Sequence, residues 1–251
     1  MQPLGLQLYS VREALAKDFE GVVRAVAALG YAGVEPAGFP GTTPQAAARL
    51  FRSLGLATPS AHVKLPRGDQ KQETLDTVAA LGCTYLVCPH VPREEFTTLD
   101  SVRRVCDRLN EANAVARAAG YTFVYHNHWW EYQPVEGRLP YQVMLEQLDP
   151  SVKYELDLYW AQTAGHDPVA LLGELGAAAP LIHVKDGPLT IEAPMAAVGA
   201  GRVDVPAAVA AAGAAEWLIV EIDRCDCVMM DAVAQSFTYM ISKGLARGKA
   251  G

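Results

Sequence analysis

One short phrase recurs along the chain and limits what it can fold into. It appears as "ALGYAGVE" ending at Glu35, "SLGLATPSAH" at His62, "ALGCTYLVCPH" at His90, "AAGYTFVYHNH" at His128 and "AAGAAEWLIVEID" at Asp223. Each copy runs from the end of a helix, through a glycine stop, into β-branched, aromatic and apolar residues. That is the pattern of a helix closed by a left-handed glycine and followed by a strand. Amphipathic segments lie between the copies. Asp18 caps one in which Phe19, Val22, Val23, Val26 and Leu29 recur at helical spacing, and Val102, Val105, Cys106, Leu109 and Ala116 do the same later. Further strands near Leu4 to Tyr9, Val152 to Asp157 and Leu181 to Lys185 bring the total to eight.

Strands that alternate with helices pair in parallel through right-handed crossovers. Eight such units in 251 residues are expected to close into a single (β/α)8 TIM barrel spanning residues 1–251. The alternative, a doubly wound open sheet, usually carries a glycine-rich phosphate loop after its first strand. "LYSVREAL" is not such a loop.

Composition narrows the function. With 51% hydrophobic and 20% charged residues the chain is expected to be globular rather than disordered. Its net charge of -7 and scattered lysines and arginines disfavour nucleic acid as a partner. The longest apolar run, Val205 to Ala215, is too short to cross a bilayer, and "MQPLGLQLYSVRE" lacks the basic start and long apolar stretch of a signal peptide. No membrane association and a cytoplasmic location are therefore expected. Five cysteines without a disulfide-scaffold spacing suit a reducing compartment; Cys225-x-Cys227 could bind a metal, but with no second pair elsewhere the favoured reading is a loop with two free thiols.

Chemistry in a barrel sits at the C-terminal ends of the strands. Those ends carry Tyr9, Glu35, His62, His90, His126 with Asn127 and His128, Asp157, His183 with Lys185 and Asp186, and Glu221 with Asp223; His166 falls on the same rim. All 6 histidines thus gather on one rim among carboxylates, whereas structural histidines would be spread over both ends and the helices. This points to a divalent metal, and mixed nitrogen and oxygen donors suit Mn, Co, Fe or Zn better than Ca.

Trp129, Trp130 and Trp160 lie just past strand ends, where their flat apolar faces can pack on a ligand, cap the barrel top or fill a subunit contact. Glu35, His62, His128 and Tyr9 are candidate partners for a substrate. The glycines of "VGAGRVD" have only Arg202 as a local cation, so a phosphorylated substrate is not expected.

"YHNH", "LDLYW", "HVKD" and "VEID", in that order at the ends of strands five to eight, resemble the xylose isomerase-like superfamily, and the likeness extends from "LGLQLYSVREAL" to "VGAGRVDVPAAVAAA". The resemblance implies one divalent ion held by His126, or His128 in a shifted register, with Asp157, His183 and Glu221. Epimerase-like members have Glu at the strand-five position. The resemblance further implies a sugar isomerase or epimerase acting on an unphosphorylated ketose, keto-inositol or related keto-sugar by proton abstraction next to the carbonyl.

Histidine at strand five also resembles inosose dehydratase and so favours a dehydrating lyase as the alternative. Within this reading Glu221 is a ligand that also orients or accepts the proton, Lys185 stabilises the oxyanion or pairs with Asp186 or a rim carboxylate, and Glu131 supports a histidine. Less favoured are a zinc AP endonuclease, for which the chain lacks a basic groove, and a sugar-binding barrel without turnover. Family members are often dimers or tetramers, so a homo-oligomer is expected.

Overall fold

The computed structural model describes residues 1–249. Its eight strands are β1 (Leu4–Gln7), β2 (Gly33–Glu35), β3 (Ser60–His62), β4 (Tyr85–Cys88), β5 (Thr122–His126), β6 (Lys153–Asp157), β7 (Leu181–Val184) and β8 (Trp217–Val220). All neighbours pair in parallel in the order β2-β1-β8-β7-β6-β5-β4-β3. The remaining seam, between β2 and β3, is bridged at Gly33 and Ala57. Three backbone hydrogen bonds cross it: Val34 N–H to Ala57 O at 2.9 Å, Ala57 N–H to Ala32 O at 3.0 Å, and His62 N–H to Pro36 O at 2.9 Å. This is the single (β/α)8 barrel that the helix and strand alternation predicts.

Local chemistry sets the helix boundaries. Asp18 accepts from the Gly21 amide to start the helix Phe19–Leu29, and Gly30 closes it at φ 104°, a conformation costly for other residues. In the longest helix, Leu99–Ala118, Thr98 and Ser101 form a reciprocal cap, and Val102, Val105, Cys106, Leu109, Ala112 and Ala116 turn the apolar stripe to the barrel.

The two-residue period of the strands then sorts side chains inward or outward. Phe123, Tyr125, Leu156, Ile182, Val184, Leu218 and Val220 belong to the large core shared with the helices. Val87, Val124, Leu181 and Ile219 form a separate small cluster with Tyr85 inside the barrel. Two residues further along their strands, on the same inward face, stand His126, His183 and Glu221.

The hydrogen-bonded strands are shorter than the sequence suggests. Gln7 turns its side-chain oxygen back onto the Tyr9 amide, and Asp157 accepts from the Trp160 amide to start the helix Leu158–Thr163, so side chains capture the backbone as the strands end. Tyr9 consequently sits in the short 3-10 turn Leu8–Val11, and His90, His128 and Asp223 sit on loops. No helix among the described residues is long and apolar enough to cross a membrane.

The seam tolerates no side chain at residue 33. A Cβ there would lie 2.7 Å from the Ala57 carbonyl and 2.9 Å from the Trp217 ring, whereas one at Gly213 would meet nothing within 4 Å. Gly33→Ala is expected to cost about 1–3 kcal/mol in urea denaturation, the range for overpacking. Gly213→Ala should stay within about 0.5 kcal/mol, as surface substitutions do.

Candidate metal and active site

Four donors from four adjacent strands converge at the top of the barrel. One nitrogen or oxygen each from His126, Asp157, His183 and Glu221 lies within 4.8 Å of the others, and all four residues are buried. His126 Nδ1 is 3.0 Å from the Pro89 carbonyl, so that nitrogen carries the proton and Nε2 presents its lone pair inward. His126 Nε2 lies 3.4 Å from Asp157 Oδ2 and is buried without a hydrogen-bond partner. Buried polar atoms left in this state are costly unless a ligand completes them, and a mixed imidazole and carboxylate set suits a divalent transition metal. These residues fit such an ion. Asn127 stiffens the arrangement by accepting from the Asp157 amide at 2.9 Å, which ties the ends of β5 and β6 together.

Directly below lies a second group that shares His183. Glu35, His62, Glu155 and His183 also bring one donor atom each within 4.8 Å of one another. His62 Nε2 is 2.7 Å from Glu155 Oε2 and 3.2 Å from Glu35 Oε1. His183 Nε2 is 2.8 Å from Glu35 Oε1, while its Nδ1 is 2.8 Å from Glu221 Oε2. Burial opposes charge on both rings, but Glu155 and Glu221 outweigh it at His183 and hold that imidazole well above its ordinary value. Glu35 and Glu155 likewise raise His62 above its ordinary value. Glu155 is absent from the sequence-derived site. Its signal was present in "YELD", since a residue two before Asp157 shares its face of the strand.

Lys185 supplies the fixed positive charge. Its side chain is 1% exposed, with Nζ 2.7 Å from Glu221 Oε2, 2.9 Å from Asp157 Oδ2 and 3.0 Å from Asp223 Oδ2. Burial would drive its proton off, yet these three carboxylates hold it firmly on. The same contact outweighs burial at Asp157 and Glu221 and lowers both carboxyls below their usual range. Of the ion-pair partners considered from sequence, the rim carboxylates take the ammonium.

Asp186 is engaged elsewhere. Its carboxylate accepts from the amides of Gly187, Gly199, Gly201 and Val203 at 2.8–3.0 Å, so the glycine-rich segment "VGAGRVD" does form an amide cradle, filled by the protein's own anion.

A cleft of about 800 Å³ opens onto this machinery. Tyr9, His62, His126, His128, Trp160, Lys185 and Glu221 all line it. Two expected substrate partners do not. Glu35 is fully buried beneath the cleft, its carboxylate bound by Gln7 and His183. Trp130 is drawn aside because its ring stacks on His128 at 4.3 Å. His128 itself is kept neutral, its pKa well below the ordinary value through burial and the neighbouring His126 and Lys185. Tyr9 is 42% exposed at the mouth, under the Arg12 guanidinium at 4.0 Å, while His166 packs on the Tyr132 ring.

Glu131 serves the loop. It accepts from the Tyr125 hydroxyl at 2.5 Å and from the His128 amide at 2.9 Å, so it fixes the backbone of His128 and no histidine ring is among its hydrogen-bond partners. Burial pushes its carboxyl from 4.5 up to about 7. Between these values the unfolded chain releases the proton first, so the stability contributed by protonated Glu131 is present below pH 4.5 and is lost as pH rises to 7. Relative to Glu131→Gln, the protein should lose about 3 kcal/mol across that interval, measured by urea denaturation at a series of pH values.

Comparison with known proteins agrees with this architecture. A profile of the xylose isomerase-like TIM barrel matches residues 23–237. No curated protein matches the chain significantly. A sugar phosphate isomerase/epimerase from Parabacteroides distasonis ATCC 8503 is 25% identical, with a TM-score of 0.85 over 98% of this chain and 100% of its own. The probable 3-DHS dehydratase AsbF of Bacillus anthracis, involved in petrobactin synthesis, is 12% identical, with a TM-score of 0.75 over 96% and 99%. The IolI protein, solved with a bound zinc atom, is 15% identical, with a TM-score of 0.69 over 96% and 99%. The chain belongs to the xylose isomerase-like TIM barrel family.

Proposed function

We propose that this protein is a divalent-metal-dependent enzyme that removes a proton next to the carbonyl of an unphosphorylated ketose, keto-inositol or related keto-sugar, and isomerises or epimerises it. The observation that carries the reading is the convergence of His126, Asp157, His183 and Glu221, with the buried His126 Nε2 lacking a hydrogen-bond partner. The sugar phosphate isomerase/epimerase neighbour and the zinc-bound IolI support it.

His126, Asp157, His183 and Glu221 would hold the ion, which supplies a Lewis acid to polarise the carbonyl. Lys185, kept protonated, and His62, held above its ordinary pKa, face the cleft as donors for an oxyanion. Glu221 lines the same cleft as the candidate proton acceptor. Trp160 offers a flat face that excludes water from the sugar ring. The cradle filled by Asp186 supports an unphosphorylated substrate, because those amides are already committed. A cytoplasmic homo-oligomer without nucleic-acid or membrane partners completes the proposal.

Dehydration is the second reading, favoured by His126. Two-sided reprotonation calls for a pair of bases across the substrate, and an imidazole committed as a ligand leaves Glu221 as the carboxylate base. Lys185, kept protonated, and His62 would then assist a departing hydroxide. The dehydratase neighbour is consistent with this route.

Elemental analysis of tag-free protein should find one Mn, Co, Fe or Zn per chain, lost in Asp157→Ala. In D2O with a panel of keto-sugars, solvent deuterium should enter beside the carbonyl, and Glu221→Gln should slow this by about 10²–10⁴-fold, the usual contribution of a general acid or base. Epimerisation retains the substrate's mass apart from deuterium, whereas dehydration releases water. Failure to take up any of the four ions would overturn the metal-dependent reading, and about three zinc ions with cleavage of abasic DNA would replace it with an endonuclease.

A further inference from the structure

The loop of residues 221–228, which leaves β8 and enters the helix Met229–Ser242, carries chemistry that the barrel site does not use. Cys225 Sγ stands 3.1 Å from Cys227 Sγ and 4.0 Å from Met229 Sδ. Cys227 is exposed and Cys225 half-buried, in contrast to the buried Cys83, Cys88 and Cys106. Three sulfurs from five consecutive residues thus gather at the surface, two of them thiols that can ionise and the third a neutral thioether.

The surroundings decide which ion such a group prefers. Zinc sites are usually completed by four thiolate, imidazole or carboxylate donors. Among the described residues, groups of three or more His, Cys, Asp or Glu donors occur only in the two barrel clusters. The donors gathered here are two thiols and a thioether, and thiolate with thioether selects a monovalent d10 ion over a hard or borderline divalent one. Sulfurs placed about 2.3 Å from a common metal stand roughly 3.7–4.0 Å apart in tetrahedral or trigonal geometry. The Cys225 to Met229 separation already meets this, and the exposed Cys227 side chain reaches it by turning outward. Asp226 and Asp231 flank the cysteines in sequence and add local negative charge that favours a cation.

We propose that Cys225, Cys227 and Met229 form a surface site for a soft monovalent metal of the copper(I) class, separate from the ion held in the barrel. Asp223 and Arg224 connect the two. Both line the cleft, Asp223 pairs with Lys185, and they immediately precede Cys225, so occupation of the sulfur site acts on the loop that braces the lysine.

The test is an anaerobic titration of the reduced full-length protein with copper(I), in competition with a chromophoric copper(I) chelator. The protein should withdraw one equivalent from the chelator, and X-ray absorption should show sulfur neighbours alone. Cys225→Ser and Cys227→Ser should abolish this capture. Met229→Leu should weaken it roughly 10–100-fold, comparable to loss of a supporting group at a metal site. Asp157→Asn should leave it intact, separating it from the barrel histidines.

Thermal melts of the variants verify folding, and buried Cys106→Ala serves as a thiol control that should not change binding. The proposal is overturned if the reduced protein takes no copper(I), if the Cys225→Ser/Cys227→Ser double variant binds as the wild type does, or if Met229→Leu has no effect. Preferential binding of zinc by the two cysteines would overturn it as well.

Discussion

Carboxylates buried inside a closed sheet are the constraint from which this structure follows. Glu35, Glu155, Asp157 and Glu221 crowd the top of the barrel with almost no contact with water. Ions removed from solvent in this way are tolerated only when paired and hydrogen-bonded. The protein answers with Lys185 and with His62 and His183, whose rings those same carboxylates hold above their ordinary pKa. The arrangement is reciprocal, since Lys185 and His183 in turn lower Glu221. A cluster coupled so tightly positions its donors by electrostatic balance as well as packing.

Much of this was legible in the order of the residues. The glycine-to-strand phrases fix the alternation of elements, and parallel pairing with short connections leaves few topologies besides the barrel. Strand ends rich in histidine and carboxylate then identify the functional rim. What escaped detection was depth. A strand end read as one residue overlooks its neighbour two positions earlier, and so Glu155 was missed. Glu35, read as a residue facing the cavity, lies beneath the cleft because Gln7 and His183 claim its carboxylate, a contact between chain positions 28 and 148 residues apart. Trp130 is turned by a stacking partner whose position depends on the loop that Glu131 clamps.

The glycine-rich segment after β7 shows another limit. In sequence it resembles a place for an outside anion, and only the folded chain reveals that Asp186 returns to fill it. The amides come from residues 1 to 17 positions downstream, so the loop is wound around the carboxylate that follows the HVK segment. Lys185, the residue before Asp186, faces the opposite direction, into the cleft.

The β2 to β3 seam gives the polar cluster a mechanical role. Glu35 ends one flank and His62 the other, yet each reaches across the barrel, Glu35 to His183 on β7 and His62 to Glu155 on β6. These side chains act as cross-ties spanning the place where the backbone ladder is thinnest. Any event that redistributes charge among them also alters how tightly the cylinder is shut. The opening of the seam, measurable as amide exchange along the two short strands that end at Glu35 and His62, is therefore expected to follow the protonation and occupancy of the site those residues join.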